Sequence, residues 1–392
     1  MRIVLAPAGL AFRLTIVLGA VLLLGLPDPA REASRRVEAA SSAAVGGTFE
    51  VRGISYPSFR DGSYDRPESR AVLAELAKMG ANFVAIIPTQ FSKSAGASTF
   101  RPTAATETDG HIVAAIVAAH ALGLKVMLKP HVDPMDGKPR AAYAPADVGD
   151  WFHSYRALLV HYATLAAAQH VELFSIGCEL DSLVGAPHRA DWLEIVRAVR
   201  AIYPGPIIYA ADWLVERDVS FWDAVDYIGV DAYDPLSRSA HPSVAELAGG
   251  WVEVSADSWV AARSGHRSPL QRYRYLWETY HKPVIFTEIG YKSIAGAAAR
   301  PGDWRYRAPV DLTLQANAFE AFFQVWSRQS AWMKGAFLWN WDPVLHPERS
   351  AAGLADYTPQ NKPAGAVIAR WYGAMAAAAT GRRPAADGRA PE

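Results

Sequence analysis

Residues 71–88 read AVLAELAKMGANFVAIIP, and residues 113–130 read VAAIVAAHALGLKVMLKP. Each begins with the three-to-four spacing of an amphipathic helix, stops at a glycine, and resumes as a short apolar run. In the first, Val72, Leu73, Leu76 and Met79 share one face and Gly80 ends the helix. In the second, Gly123 ends it in the same way, each glycine supplying the left-handed conformation that closes a helix. A helix followed within a few residues by a strand, twice in succession, is the unit of a parallel sheet.

Working outward, the same alternation accounts for most of the chain. Strands are expected at FEVRGISY (49–56), NFVAIIP (82–88), KVMLKP (125–130), VELFSIG (171–177), PIIYAA (206–211), VDYIGVD (225–231), PVIFTEI (283–289) and KGAFLWN (334–340). Several are apolar at consecutive positions, as strands covered on both faces must be. Helices are expected at 66–80, 108–123, 147–169, 189–202, 267–281, 311–331 and 363–378. Eight strands alternating with helices predict an α/β fold: a (β/α)8 TIM barrel forming a single catalytic domain over residues 49–375. An open doubly wound sheet is the alternative. The first strand is followed by YPSFRDGSYDRP, which lacks the glycine-rich phosphate turn of that architecture.

The chain has 392 residues, with 39 Lys plus Arg against 39 Asp plus Glu. A zero net charge without a basic run argues against a general nucleic-acid binder and leaves only a local basic patch open. One cysteine, Cys178, excludes an internal disulfide and a multi-cysteine metal site. No clustered histidine and aspartate ligands suggest a resident metal, so neither metal nor cofactor is expected.

Arg2 and Arg13 precede the apolar run LTIVLGAVLLLGL (14–26), too short to span a bilayer comfortably. Residues 1–26 therefore read as a signal peptide or N-terminal anchor, and predict export to the periplasm or the extracellular space. A membrane association is expected only if this segment stays uncleaved. Residues 27–48 read as a linker, and 376–392 as a disordered tail.

In a parallel barrel, chemistry sits at the C-terminal ends of the strands. Those ends carry Tyr56, Gln90, Lys129 with His131, Glu179, Asp212 with Trp213, Asp231 with Tyr233, Glu288, and the trio Trp339, Asn340 and Trp341. Glu179 and Glu288 end the fourth and seventh strands, on opposite sides of the mouth. Two such carboxyls suit glycoside hydrolysis, retaining if about 5–5.5 Å apart and inverting if about 6.5–9.5 Å apart. Tyr233 is placed to donate to Glu288. Lys129 and His131 are candidates for sugar hydroxyls, or for an ion pair and a structural histidine. Asp231 is a candidate sugar anchor or a cap. Trp213 is a further sugar contact or packing, and Trp339, rather than Trp341, is expected to face the mouth. The connection 232–282, with Trp251, Trp259 and Trp277, is expected to form outer helical packing or distal subsites.

The ordered pieces GISYP (53–57), LKPHVD (128–133), SIGCEL (175–180), VDAYDP (230–235), TEIGY (287–291) and FLWNWD (337–342) resemble the clan A retaining glycoside hydrolases. Within that clan the sequence is most similar to glycoside hydrolase family 113, known for β-mannanases. The resemblance implies Glu179 as acid/base and Glu288 as nucleophile. It also implies Tyr233 beside the nucleophile, Lys129 and His131 on the sugar, and Trp339 as a stacking floor. Its expected partner is a β-linked poly- or oligosaccharide, mannan first. Much of the clan has Asn before the acid/base, holding the sugar 2-hydroxyl; here Cys178 stands there. A transglycosylase with the same site and a non-catalytic carbohydrate-binding envelope protein are the rival readings.

Overall fold

The structure, a computed structural model, describes residues 47–344 and 354–380. The signal or anchor segment, nearly all of the 27–48 linker and the tail from 381 lie outside the described residues. Eight parallel strands close into a barrel in the order β1, β2, β4, β6, β7, β8, β9, β10 and back to β1. They are β1 (Val51–Pro57), β2 (Phe83–Ile87), β4 (Lys125–Leu128), β6 (Leu173–Cys178), β7 (Ile207–Asp212), β8 (Tyr227–Asp231), β9 (Val284–Ile289) and β10 (Met333–Leu338). The expected (β/α)8 barrel is the fold, and each barrel strand falls on an expected run.

Strand periodicity divides each strand between two apolar layers. Phe83, Ala85 and Ile87 of β2 point inward with Val51, Met127, Leu173, Ile208, Ile285 and Phe337. Val84 and Ile86 point outward to the helices. Gly53 faces Phe337 so closely that a Cβ there would lie 2.4 Å from the ring. The inner layer fills the barrel, so the open end above it is the place for a site.

The outer ring comprises α1 (Pro67–Met79), α2 (Asp109–Ala121), α3 (Val148–Ala168), α4 (Arg189–Arg200), α5 (Val244–Val252), α6 (Ser258–Arg263), α7 (Pro269–Tyr280), α8 (Leu312–Trp326) and α9 (Pro363–Ala379). Gly80 closes α1 at φ 99°, and its bare α-carbon packs against the Tyr372 carbonyl of α9. The 232–282 connection is folded as α5–α7. Trp251 is buried against Phe286 and Trp326, Trp277 stacks on Trp332, and Trp259 is exposed.

Three expectations are corrected. Two further strands, β3 (Thr89–Ser92) and β5 (His131–Pro134), pair with each other outside the barrel. Each begins just past a proline, Pro88 or Pro130, that removes a ladder donor and closes the expected run 82–88 or 125–130. Helix α8 stops at Trp326 rather than continuing to 331. Helix α9 runs to Ala379, past the 376 boundary of the expected tail, because the alanine run 376–379 favours helix.

Candidate active site

Side chains from opposite sides of the barrel meet above the inner apolar layer. Lys129, just beyond β4, reaches across to Asp231 on β8 and Glu288 on β9. Its Nζ lies 2.6 Å from Glu288 Oε1 and 3.2 and 3.3 Å from the two Asp231 oxygens. Lys129 and Asp231 are both completely buried. Burial alone would strip the Lys129 proton, but the charges of Asp231 and Glu288 outweigh it and push the ammonium's pKa up. Lys129 is thus an ion-pair partner, and no surface of it is left for a sugar hydroxyl. The ion-pair alternative therefore describes Lys129; Asp231 is enclosed in the same way, and also accepts from Thr287 Oγ1 at 2.7 Å and Cys178 Sγ at 3.2 Å. Its expected role as a sugar anchor is replaced by that of a buried counter-charge.

Glu288 Oε2 accepts the Tyr233 hydroxyl at 2.8 Å. With Lys129 on the other oxygen, this carboxyl is fixed by two donors. Burial pushes its pKa up and Asp231 adds to that, while the Lys129 ammonium opposes both. Tyr233 also packs edge-on to Tyr357, with ring centroids 6.5 Å apart.

Glu179 follows Cys178 at the end of β6. Its N–H bonds Ala210 O of β7 at 2.8 Å, while its φ of 50° turns the chain out of the strand. A non-glycine residue held in this region costs about 1–3 kcal/mol. Its side chain is 23% exposed, so it faces the opening. Among the described residues no hydrogen bond steadies its carboxylate, and Arg140 Nη1 stands 3.8 Å away. Burial, then the charge of Asp231, pushes its pKa up to about 8, with Arg140 opposing.

Arg140 is the residue that sequence reasoning missed. It lies in the loop after β5, and its guanidinium gathers four groups. Nε bonds Asp133 at 2.8 Å, and Nη1 bonds His131 Nδ1 at 2.8 Å and Cys178 Sγ at 3.2 Å, beside Glu179. A guanidinium only donates, so His131 Nδ1 accepts and the ring proton of the neutral imidazole sits on Nε2. Burial, Arg140 and Lys129 hold His131 well below its usual range, which keeps it neutral. His131 Nε2 is buried without a hydrogen-bond partner and lies 3.8 Å from Glu288 Oε1. The only signal that could have found Arg140 is the short run from Asp133 to Arg140 on a mouth loop.

His131, Cys178 and Glu288 bring their donor atoms within 4.8 Å of one another, as do Cys178, Glu179 and Asp231. Lys129 bonds Asp231 and Glu288, and Arg140 bonds His131 and Cys178, so most of these donors already serve fixed cations. Cys178 is buried, and burial pushes its thiol well up, away from the reactive thiolate.

Other mouth candidates separate. Trp339 is half-buried against the inner layer, whereas Trp341 is buried at 1% exposure. The Trp339–Asn340 peptide is cis. Trp213 is half-buried after β7. Burial, then the charge of Asp231, pushes the pKa of Asp181 up to about 7. Tyr56 is buried with its hydroxyl on Ser69 of α1, and Gln90 bonds Tyr162 of α3, so neither faces the mouth.

A parallel barrel with two acidic strand-end residues set in unlike environments is the architecture of a glycoside hydrolase. The profile of Glycoside Hydrolase Family 113 matches residues 55–362, and the chain belongs to that family. Among solved structures it is similar to the family 113 β-mannanase AaManA from Alicyclobacillus acidocaldarius in complex with ManMIm. That match has 31% identity and a TM-score of 0.71, and covers 85% of this chain and 99% of that one. A second match, a complex of a family 113 β-1,4-mannanase, has 25% identity and a TM-score of 0.71, covering 83% and 99%. A fungal β-1,4-galactanase at 14% identity and TM-score 0.51 shares the fold. No curated protein sequence matches. The chain is a glycoside hydrolase, acting on carbohydrate.

Proposed function

We propose that this glycoside hydrolase cleaves a β-linked, mannan-type polysaccharide or oligosaccharide with retention, through a covalent glycosyl-enzyme. The observation that carries this reading is the unequal setting of the two carboxyls. Glu288 is held by Lys129 at 2.6 Å and Tyr233 at 2.8 Å, which favour and orient its charged form. Glu179 has no such donors, is pushed up to about 8, and so carries a proton at neutral pH. Burial raises both carboxyls, but only Glu288 has donors on its carboxylate, and that asymmetry divides nucleophile from acid.

In the first step a Glu288 oxygen forms a bond to the anomeric carbon as the glycosidic C–O bond breaks. Glu179 gives its proton to the leaving oxygen. In the second step water adds to the anomeric carbon, Glu179 takes its proton, and the bond to Glu288 breaks. His131 Nε2–H, buried and unpartnered beside Glu288, is the donor left for a sugar hydroxyl. It fills the part that an asparagine would have taken where Cys178 stands. Trp339 offers the stacking face, and Trp213 is a candidate for a further contact. The β-mannanase relatives support mannan as the first substrate to try. The basic start and apolar run at 14–26 support export, with the segment serving as signal or anchor.

The test is covalent trapping of the full chain with 2-deoxy-2-fluoro-β-mannosyl fluoride, followed by peptide mass spectrometry. The expected result is one adduct, on the peptide carrying Glu288. Release of the inverted anomer from mannan, followed by NMR, would overturn retention. An adduct on another carboxylate would overturn the assignment of Glu288.

A further inference from the structure

The loop between β9 and α8, residues 290–311, starts two residues beyond Glu288 and forms one wall of the mouth. Gly302 packs on Tyr233, the tyrosine that holds Glu288, and the neighbouring Pro301 carbonyl accepts the Tyr357 hydroxyl at 2.5 Å. From there the loop crosses to the loop after β5, where Arg305 Nη2 donates to Gly137 O at 2.8 Å. That second loop carries Arg140.

Two features of this wall have no part in the hydrolysis steps above. Trp304 stands 63% exposed, with the Arg305 guanidinium 4.8 Å from its ring centroid. Four cations crowd the segment: Lys292, Arg300, Arg305 and Arg307. Among the described residues, none of the four has a carboxylate oxygen within 4.0 Å. Lys292 is buried on the carbonyls of Trp304 and Tyr306, and burial followed by the charge of Arg307 pulls its pKa down. Of the two acids within the loop, Asp303 spends an oxygen on the N–H groups of Arg305 and Tyr306, while Asp311 bonds His241 and caps α8. Arg307 donates only through Nη1, to the Trp304 and Tyr306 carbonyls. A guanidinium has five N–H donors in a planar fork, so Arg305 and Arg307 are each braced by carbonyls and keep a free edge. Such an edge matches the two oxygens of a carboxylate.

In a chain of zero net charge, four cations without a carboxylate ion-pair contact among the described residues, beside an exposed indole, are a specific feature of this wall. We propose that the β9–α8 loop is a subsite for carboxylate-bearing sugar residues. The substrate is then an acidic β-linked glycan, with the sugar ring against Trp304 and its carboxylate on Arg305 and Arg307. This rests on the glycoside hydrolase reading of the same mouth and specifies its substrate class.

The test compares β-mannan oligosaccharides with the same oligosaccharides oxidised at C6 to uronates. Binding to the full-length Glu288→Gln chain is followed by calorimetry and by tryptophan fluorescence. At low ionic strength the oxidised ligand is expected to bind about tenfold or more tightly, and the preference should shrink as salt rises from about 20 to 200 mM. Arg305→Gln with Arg307→Gln should abolish the preference and leave neutral binding in place. The salt dependence of the unaltered loop stands as a second readout should that variant fold poorly. Equal affinity for the two ligands, or binding of neither, overturns the subsite. Hydrolysis by the unaltered chain is scored separately. Turnover of neutral mannan without a charge preference overturns this proposal alone. A charge preference without turnover of either glycan overturns the proposed mannan-type activity and leaves the subsite standing.

Discussion

Arg140 Nη1 donates to His131 Nδ1 at 2.8 Å, and this single contact places the imidazole proton on Nε2, 3.8 Å from Glu288 Oε1. The same guanidinium stands 3.8 Å from Glu179 Oε2. One loop residue therefore sets the tautomer on the Glu288 side of the mouth and adds a positive charge on the Glu179 side.

Arg140→Ala is expected to act on both. Losing the cation removes an influence that holds the Glu179 carboxyl down, so its pKa should rise further and the basic limb of the kcat/KM profile should move to higher pH. Losing the donor frees His131 to flip its tautomer, at a cost of about 10²-fold in kcat/KM, typical of misplacing a positioning group. A pH–rate profile checks both. A tenfold loss with an unmoved basic limb would leave Arg140 a purely structural brace.

Glu179 itself fixes the sign of the pH dependence. Pushed up to about 8, it is protonated below that value, and acid assistance should fall away as pH rises through it. Unfolding returns it to the ordinary carboxylate range near 4.5. The unfolded chain therefore releases the proton first, and this residue's contribution to stability is full below about 4.5 and lost as pH climbs through 8. Glu179→Gln should abolish cleavage of polysaccharide yet melt a few degrees higher than the unaltered chain at pH 9. The gap should close near pH 4, a comparison that thermal scans at the two pH values make directly.

Tyr233→Phe removes one of the two donors to Glu288, at 2.8 Å. A hydrogen bond to a charged group is worth about 1.5–3 kcal/mol, so kcat should fall roughly 10- to 100-fold. The acid limb should move up, because the charged form of Glu288 has lost a donor. The fold should tolerate the change, since Phe keeps the ring that packs against Tyr357. Kinetics on a soluble aryl glycoside, with a melting curve as control, would detect it.

The barrel was legible in sequence because strands covered on both faces must be apolar at successive positions, and because glycines such as Gly80 end helices visibly. Glu179 and Glu288 were legible because each follows such a run. What the residues do to one another was not. Lys129 and Asp231 both read as mouth residues, but they are 102 positions apart, and only barrel closure turns two candidate sugar contacts into a buried ion pair. Arg140 was hidden for a related reason. It comes from a loop after β5, and β5 exists as a separate strand only because Pro130 interrupts the ladder. Local periodicity reports which face a residue occupies, whereas the charges it meets there are set by tertiary closure.

Lys129→Met tests that closure most severely. It leaves Asp231 and Glu288 buried without their shared cation, and removing one partner of a buried ion pair costs about 3–5 kcal/mol. The melting temperature should drop by several degrees. Activity should fall at least as far as in Tyr233→Phe, because Glu288 loses its 2.6 Å donor and its pKa rises. Adding Asp231→Asn to the same chain removes the second unpaired charge, so most of the lost stability should return. Activity should not return, because the amide cannot replace the ammonium at Glu288. Recovery of both together would mean that Lys129 serves only to neutralise Asp231, whereas recovery of stability alone assigns it to holding Glu288.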